Sequence, residues 1–278
     1  MGAFLRATIL VLLLLTGSAV FASSANDGYF TVTEPTKKAD TSPAWQDPLH
    51  VVEEFISENE AALDVRKATN SLLDFLYHAD RFGAVTEPYS RSKHFGTWIR
   101  DPRENNCYNT RTRVLIRDSS VPVTFRSSGC AVHAGHWEEP YTGRAYTQAS
   151  DIQIDHFVPL KNAYISGAYK WNKTQRCLYA NFMGSEFHLL PVYGRENSMK
   201  GDRTPEGYMP PNRAYQCQYL QQWLKVKLIW NLALSESEKD SILKLVQENH
   251  CDSAGLQINS RELAKFRQAI VDNLEMCR

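Results

Sequence analysis

The chain has 278 residues, of which 43% are hydrophobic and 22% are charged. This composition excludes an intrinsically disordered protein and provides for one large domain with a substantial core. The 31 basic and 31 acidic side chains balance, which argues against the strongly basic surface that many nucleic-acid-binding proteins display.

The first 22 residues predict a secretory signal peptide. Arg6 precedes an unbroken apolar run over residues 7–15, and small residues follow up to Ala22. The alternative is a membrane anchor, but the run is shorter than the roughly 20 residues that a membrane-spanning helix needs. We therefore expect an exported protein, secreted or periplasmic, that has no stable association with the membrane after signal cleavage.

Three further segments follow the predicted signal. Residues 23–48 are rich in Ser, Thr, Asp, Lys and Pro, and they predict a flexible leader. Residues 49–88 predict a helical N-terminal extension, because apolar residues recur there at helical spacing. Residues 89–278 remain for the main domain with its C-terminal helices.

Strand and turn patterns dominate the first part of the main domain. Short strands are predicted at residues 114–116 (VLI) and 121–125 (VPVTF), the second at a sheet edge because Pro122 cannot donate a backbone hydrogen bond. Residues 140–143 (PYTG) predict a turn. The alternation over residues 152–156 predicts a third strand.

Helical patterns dominate the second part of the domain. Residues 194–200 predict a short helix that Gly201 ends. Residues 217–232 predict a longer amphipathic helix. Ser235 begins a capping-box sequence for the next helix, and Ser260 opens a last one with a single apolar stripe.

Six cysteines follow the predicted signal. An even number in an exported chain predicts three disulfides, and the absence of a C-x-x-C pair argues against a zinc ribbon. Sequence alone allows fifteen pairings of six cysteines. Our expectation is pairing between neighbours along the chain, namely Cys107–Cys130, Cys177–Cys217 and Cys251–Cys277.

Asp155 and His156 stand side by side, and Asn197 follows 42 residues after Asp155. An imidazole has an ordinary pKa of about 6.5 and can therefore take a proton from water near neutral pH. Carboxylate and carboxamide oxygens are ligands that hard divalent cations prefer. The three residues together suit a phosphodiesterase that uses one cation, and Lys200, on the same helix face as Asn197, could contact the phosphate.

Residues 89–211 resemble secreted HNH-type endonucleases of the ββα-metal (His-Me finger) superfamily. The resemblance depends on many positions at coherent spacing rather than on the Asp-His pair alone. These positions are Tyr141-Thr142-Gly143, residues 154–160 (IDHFVPL), Ala163, Ser166-Gly167-Ala168, Trp171, Ala180-Asn181, residues 188–192 (HLLPV), Asn197, Lys200-Gly201-Asp202 and Pro205.

The resemblance implies an α+β fold, with a ββα-metal core that is wrapped by helices and stabilised by disulfides. It implies that His156 is the general base and that Asp155 and Asn197 bind one divalent cation, Mg²⁺ in the first place and Mn²⁺ or Ca²⁺ as alternatives. His188 stands where the family usually has an asparagine that supports the loop carrying the base. Phe182 stands where relatives often have an aspartate after Ala180-Asn181.

The resemblance also implies an endonuclease that hydrolyses DNA, or RNA. We expect little sequence specificity, because no recognition module appears beside the core, and we expect a monomer. Relatives steady the phosphate with an arginine, and Arg176 is our candidate for that catalytic role. Between residues 161 and 213, eight Lys or Arg residues outnumber four acidic ones, so a phosphate backbone would find basic side chains near the site. The further phosphate-binding candidates are Lys161, Arg195, Lys200 and Arg203.

Two other functions stay open from the sequence. The neutral net charge and His188 are compatible with an exported binding protein on a decayed nuclease scaffold. His133, His136 and His156 could alternatively hold a catalytic zinc ion. Retention of Asp155, His156, Asn197 and Lys200 together favours the nuclease, because a decayed site need keep none of them.

Overall fold

The computed structural model describes residues 85–252 and 260–278. The predicted signal, the leader and most of the helical extension, up to residue 84, lie outside these residues. In the part of the chain that is described, no helix has the length and apolar character that crossing a bilayer requires.

The described chain combines helices with two small antiparallel sheets, which confirms the α+β class. The strands are β1 (Thr124–Phe125), β2 (Val132–Glu139), β3 (Arg144–Gln148), β4 (Ile152–His156) and β5 (Leu189–Tyr193). The helices are α1 (Arg91–His94), α2 (Thr110–Arg117), α3 (Leu160–Ile165), α4 (Lys173–Asn181), α5 (Gly194–Lys200), α6 (Arg213–Ile229), α7 (Glu236–Glu248) and α8 (Ser260–Asp272). Short 3₁₀ helices lie at Ala168–Lys170 and Leu274–Cys277.

Strands β1, β2 and β3 form one sheet, and β4 pairs with β5 in the other. The predicted edge strand and the predicted strand over residues 152–156 are confirmed as β1 and β4. The predicted turn at residues 140–143 joins β2 to β3, and Gly143 adopts φ +71° there, a conformation that glycine adopts without steric cost.

The prediction of a strand at residues 114–116 is wrong, because these residues lie in α2. The side chain of Asn109 accepts a hydrogen bond from the Thr112 backbone N–H (3.0 Å) and so caps this helix. A run of three apolar residues fits a strand and a helix equally well, and the cap decides between them. Two arginines of α2 then hold the neighbouring strands, since Arg111 donates to the Ile152 carbonyl (2.8 Å) and Arg117 to the Leu189 carbonyl (2.7 Å).

Three disulfides are present, and one expected pairing, Cys107–Cys130, is confirmed. The other two expected pairings are wrong, because the bonds are Cys177–Cys277 and Cys217–Cys251. The C-terminal 3₁₀ helix packs against α4 and so brings Cys277 beside Cys177. Contacts between distant segments decide which cysteines meet, so the order of the cysteines along the chain does not predict the pairing.

Strand β4 lies between two hydrophobic clusters. Ile152 and Ile154 pack in the smaller one, with Trp137 of β2. Phe157 and Val158, which follow β4 directly, pack in the larger one with the aromatic residues of α4 and α6. Asp155 and His156 therefore stand where the two clusters meet, on backbone that is fixed on both sides.

A buried ion pair joins α6 to α7. Lys227 of α6 lies 3.1 Å from Glu238 of α7, and both side chains are fully buried. Glu238 also completes the predicted capping box with Ser235, which is confirmed. The Lys227 ammonium donates to Ser166 Oγ (2.8 Å) at the end of α3, so the pair fixes the helix that follows β4.

Candidate active site

The β4–β5 pair and the helix that follows it carry the residues of the candidate site. His156 pairs with Leu189, and Asp155 pairs with Leu190, at the end of the antiparallel ladder. Helix α5 begins directly after β5 and packs against both strands. This return of the chain brings Asn197 against Gln153 of β4 although the two are distant in sequence.

Asp155, His156 and Asn197 line one pocket of about 280 Å³. Tyr89 and Arg91 contribute to one wall, and residues of α3 and the end of α5 contribute to the others. The three residues that the sequence singled out for chemistry therefore share one solvent-accessible cavity.

Asp155 is almost completely buried, and both of its carboxylate oxygens have partners. The Tyr141 hydroxyl donates to Oδ2 (2.6 Å), and the Lys200 ammonium donates to Oδ1 (2.9 Å). Lys200 is itself fully buried and donates also to the His156 carbonyl (3.1 Å). Burial raises the pKa of Asp155 and lowers the pKa of Lys200, while their mutual attraction opposes both shifts.

Tyr141 is positioned by the turn in which it lies. The carboxylate of Glu139 accepts hydrogen bonds from the backbone N–H groups of Tyr141 (2.8 Å) and Thr142 (2.7 Å). The Tyr141 ring then packs against Tyr208, Tyr215 and Tyr219 in the larger core cluster. Its hydroxyl is thereby held against Asp155.

The imidazole of His156 is held in a defined orientation. Its Nε2 atom lies 2.9 Å from the Ala180 carbonyl oxygen, and a carbonyl only accepts, so Nε2 carries the proton and Nδ1 carries the lone pair. Burial lowers the pKa of His156 well below its usual value, and the positive charges of Arg91 and Lys200 act in the same direction. The ring is therefore neutral at pH 7.

Trp98 covers one face of the His156 ring. The two rings are stacked, with their centroids 4.9 Å apart and their planes 6° apart, and the Arg91 guanidinium lies 5.3 Å from the centre of the indole. Asn181 fixes the backbone on both sides of Trp98, because its amide donates to the Thr97 carbonyl and accepts from the Ile99 N–H.

His188 is anchored in the same way as His156, one residue earlier on α4. Its Nε2 atom donates to the Tyr179 carbonyl oxygen (2.7 Å), and burial lowers its pKa to about 4. Carbonyl groups in the last turn of a helix lack partners within the helix, so the end of α4 supplies acceptors for both histidines. The His188 carbonyl in turn accepts from the Phe157 N–H (3.1 Å), so His188 also supports the backbone that follows His156.

Asn197 is half-buried on α5, and its amide nitrogen donates to Gln153 Oε1 of β4 (2.8 Å). This contact assigns the nitrogen to Gln153 and leaves the Asn197 carbonyl oxygen as an acceptor. Gly201 ends α5 with φ +53°, as the sequence predicted. The donor set of Asp155 and Asn197 consists of oxygen atoms, and it fits a hard divalent cation that keeps water among its ligands.

The sequence comparison places the chain among known proteins. An uncharacterized secreted protein of Arthroderma benhamiae is 40% identical over 159 residues, which cover 57% of this chain and 74% of that protein. The chain belongs to the same family as this fungal protein. This member of the family also matches, over residues 110–245, the C-terminal domain of the GmrSD restriction endonucleases. No solved structure matches the chain significantly.

The match to an endonuclease domain suggests a nuclease-like function for this family member. Residues 110–245 include Asp155, His156, His188 and Asn197. Arg91, which lines the pocket, and Trp98, which stacks on His156, lie before the matched segment. The relative's description as secreted agrees with an exported protein.

The predicted basic residues lie in different surroundings. Lys161 lines the pocket and forms an ion pair with Asp202 (2.5 Å). Arg195 and Arg203 are exposed on and after α5. Lys200, which the sequence presented as a phosphate contact, is buried behind Asp155. Arg176 is half-buried, and its guanidinium donates to the backbone carbonyls of His94, Ala168, Tyr169 and Trp171.

Three residues of the site escaped the sequence-based prediction. Tyr141 belongs to a motif that carried the resemblance, yet we interpreted that motif only as a turn. Trp98 carries no local signal for the site, because it joins His156 only through stacking between distant segments. Arg91 lies 64 residues before Asp155, and its sequence neighbourhood carries no signal for the site.

The zinc alternative finds no support in the part of the chain that is described. Over residues 85–252 and 260–278, no group of three or more His, Cys, Asp or Glu residues could hold a metal ion. His133 and His136 lie on strand β2, and His136 is hydrogen-bonded to Ser120 Oγ (2.9 Å). His156 is committed to the Ala180 carbonyl in the other sheet.

Proposed function

We propose that the protein is an exported, metal-dependent endonuclease that hydrolyses phosphodiester bonds in DNA, with RNA as the alternative substrate, and with little sequence specificity. The observation that carries this proposal is the shared pocket of Asp155, His156 and Asn197. The match to a restriction-endonuclease domain supports the same chemistry. The protein would act as a monomer on nucleic acid.

His156 acts as the general base in this proposal. Its Nε2–H is held by the Ala180 carbonyl, so Nδ1 accepts a proton from water. The lowered pKa keeps the ring unprotonated at neutral pH, and the resulting hydroxide attacks phosphorus in line with the departing 3′ oxygen. Trp98 and Ala180 together keep the imidazole from turning away from the pocket.

Asp155 and Asn197 would hold the divalent cation through their oxygen atoms. Mg²⁺ is the first candidate, with Mn²⁺ and Ca²⁺ as alternatives, and when bound it would supply positive charge to offset that of the phosphate. Asn197 presents its carbonyl oxygen because its amide nitrogen is bonded to Gln153. Tyr141 and Lys200 fix the orientation of the Asp155 carboxylate.

Arg91 and Lys161 are the basic residues best placed to contact the phosphate, because both line the pocket. Arg91 is exposed and approaches the site over Trp98. Arg195 and Arg203 would contact the nucleic-acid backbone farther from the scissile bond. The contacts of Arg176 favour a structural role for it in holding the loop before α4.

A binding protein without catalytic activity is the second candidate. The observation that favours it is the Lys200–Asp155 pair, since an ammonium group already neutralises the carboxylate that the cation requires. Such a protein would bind nucleic acid through the same basic residues and would leave it intact.

A plasmid-nicking assay separates the two candidates. We expect the wild type to nick supercoiled plasmid with Mg²⁺, Mn²⁺ or Ca²⁺ and to stop when EDTA is added. Asp155→Ala and Asn197→Ala should lose most activity, while Asp240→Ala, which changes an exposed residue of α7, should keep it. Retention of plasmid in the supercoiled form with every cation, despite binding of DNA, would favour the binding protein.

A further inference from the structure

The pocket contains two acidic side chains, and each is paired with a lysine. Asp155 lies 2.9 Å from Lys200, and Asp202 lies 2.5 Å from Lys161. Arg91 adds a further positive charge to the pocket wall. The side chains around the pocket therefore carry no surplus of negative charge that would attract a free divalent cation.

The Lys200 pair is the more consequential of the two, because it is shielded from water. The Lys200 side chain has 0% relative exposure, whereas that of Lys161 has 52%. Charges that water does not screen interact strongly over a few ångströms. A cation bound to Asp155 would lie close to the Lys200 ammonium, and the two positive charges would repel each other.

Lys200 is also held firmly at this position. It donates to the His156 carbonyl as well as to Asp155, and it emerges from the last turn of α5 against β4. Since the ammonium has two anchors, a cation that approaches Asp155 would meet it at that position.

We propose that Lys200 competes with the divalent cation for Asp155, so that the cation binds weakly to the free protein and more tightly together with the phosphate of the substrate. This proposal rests on the proposed metal-dependent function. The phosphodiester supplies the negative charge that Lys200 has cancelled. By linkage, the cation then strengthens the binding of the phosphodiester by the same factor.

A purely structural role for Lys200 makes a different prediction. If Lys200 only compensates the burial of Asp155, its removal should lower the free energy of unfolding and leave cation affinity unchanged or reduced. If it competes with the cation, its removal should increase affinity. The sign of the change in cation affinity distinguishes the two roles.

The test measures Mn²⁺ binding by the electron paramagnetic resonance signal of the free ion. Lys200→Gln removes the charge and keeps a donor for Asp155, and Lys200→Met removes both. We expect the folded variants to bind Mn²⁺ at least about tenfold more tightly than the wild type. Addition of dimethyl phosphate, an unreactive diester anion, should tighten Mn²⁺ binding by the wild type severalfold.

Two control variants each share one feature with the Lys200 variants. Tyr141→Phe removes the neutral donor from the same carboxylate, and we expect it to change Mn²⁺ affinity less than about threefold. Lys227→Gln breaks a buried lysine–glutamate pair away from the pocket, and we expect no change. An equal increase in both controls would overturn the proposal, because charge at Asp155 would then not be the cause.

The outcomes also separate this proposal from the proposed function. Unchanged or weaker Mn²⁺ binding by the folded Lys200 variants, in a protein whose wild type nicks plasmid, overturns the competition alone. Absence of Mn²⁺ binding by every form, together with absence of nicking, overturns both. If neither variant folds, ¹³C NMR of the lysine εCH₂ groups in the wild type provides the test. The resonance of one buried lysine should shift as Mg²⁺ and dimethyl phosphate are added. A spectrum without such a shift overturns the proposal.

Discussion

The Nε2 atom of His156 lies 2.9 Å from the carbonyl oxygen of Ala180, in the last turn of α4. The preceding carbonyl, that of Tyr179, accepts from His188. One helix end therefore sets the orientation of two imidazoles, one in the pocket and one behind it. Anything that displaces α4 should change the candidate base directly.

The free energy of unfolding should decrease at acidic pH because of His188. Its folded-state pKa is about 4, below the unfolded value of 6.5, so the unfolded state binds the proton first as the pH falls. The contribution of the neutral ring is complete above pH 6.5 and is lost as the pH falls toward 4, by about 3 kcal/mol. Urea denaturation of the wild type between pH 7.5 and pH 4 measures this slope.

The control for this prediction is His188→Asn. Asparagine keeps a donor for the Tyr179 carbonyl but does not titrate. His156 shifts in the same direction, so the slope of the variant should become shallower without vanishing. Identical slopes in the two proteins would contradict the assignment of the acid sensitivity to His188.

Arg91 and Arg176 should give opposite results when each is changed to alanine. Arg91→Ala should reduce cleavage by about ten- to a hundredfold through loss of a phosphate contact and leave the free energy of unfolding unchanged. Arg176→Ala should lower that free energy, because four backbone carbonyls lose their donor. Steady-state kinetics and thermal unfolding of both variants provide the measurements, and the reverse pattern would restore Arg176 as the phosphate contact.

The Cys177–Cys277 disulfide should stabilise the fold more than Cys107–Cys130 does. The first closes a separation of 100 residues and the second one of 23, and the entropy lost by the unfolded chain grows with loop length. Double replacement by alanine should cost about 4 to 5 kcal/mol for the first pair and about 3 kcal/mol for the second. Denaturant titrations measure both costs, and a larger cost for Cys107–Cys130 would contradict the expected order.

Lys227→Met should destabilise the protein strongly, because it leaves Glu238 buried without its cation. The expected cost is about 3 to 5 kcal/mol. Adding Glu238→Gln to this variant should recover part of the loss, since the uncompensated charge disappears while Trp223 keeps an acceptor. A double-mutant cycle of unfolding free energies gives the coupling, and additive costs would mean that the two groups are not a coupled pair.

Local signals in the sequence predicted those elements that local interactions determine. The capping box at Ser235 and the glycine that ends α5 could be identified because cap and turn chemistry depends on neighbouring residues. The strand over residues 152–156 was predictable because the apolar residues Ile152 and Ile154 alternate with the polar residues Gln153 and Asp155. The error at residues 114–116 arose because three apolar residues do not define a period, and the cap of Asn109 was overlooked.

The rest of the site depends on contacts between distant segments. Lys200 was expected at the surface because helical spacing places it near Asn197, but packing of α5 against β4 buries it. The disulfide pattern likewise follows from the return of the C-terminal segment to α4. Arg91 reaches the pocket through the stacking of Trp98 on His156, which no local pattern specifies.

The most direct test of the proposed activity is the single-turnover cleavage rate of an end-labelled DNA duplex by the wild type and by His156→Asn, in Mg²⁺ at pH 7.5. Loss of the general base should lower the rate by about a thousandfold, while His136→Asn, at an imidazole outside the pocket, should cleave at the wild-type rate. Product ends should carry 5′-phosphate. A His156→Asn rate within threefold of the wild type would contradict the proposed role of His156 and, with it, the proposed active site.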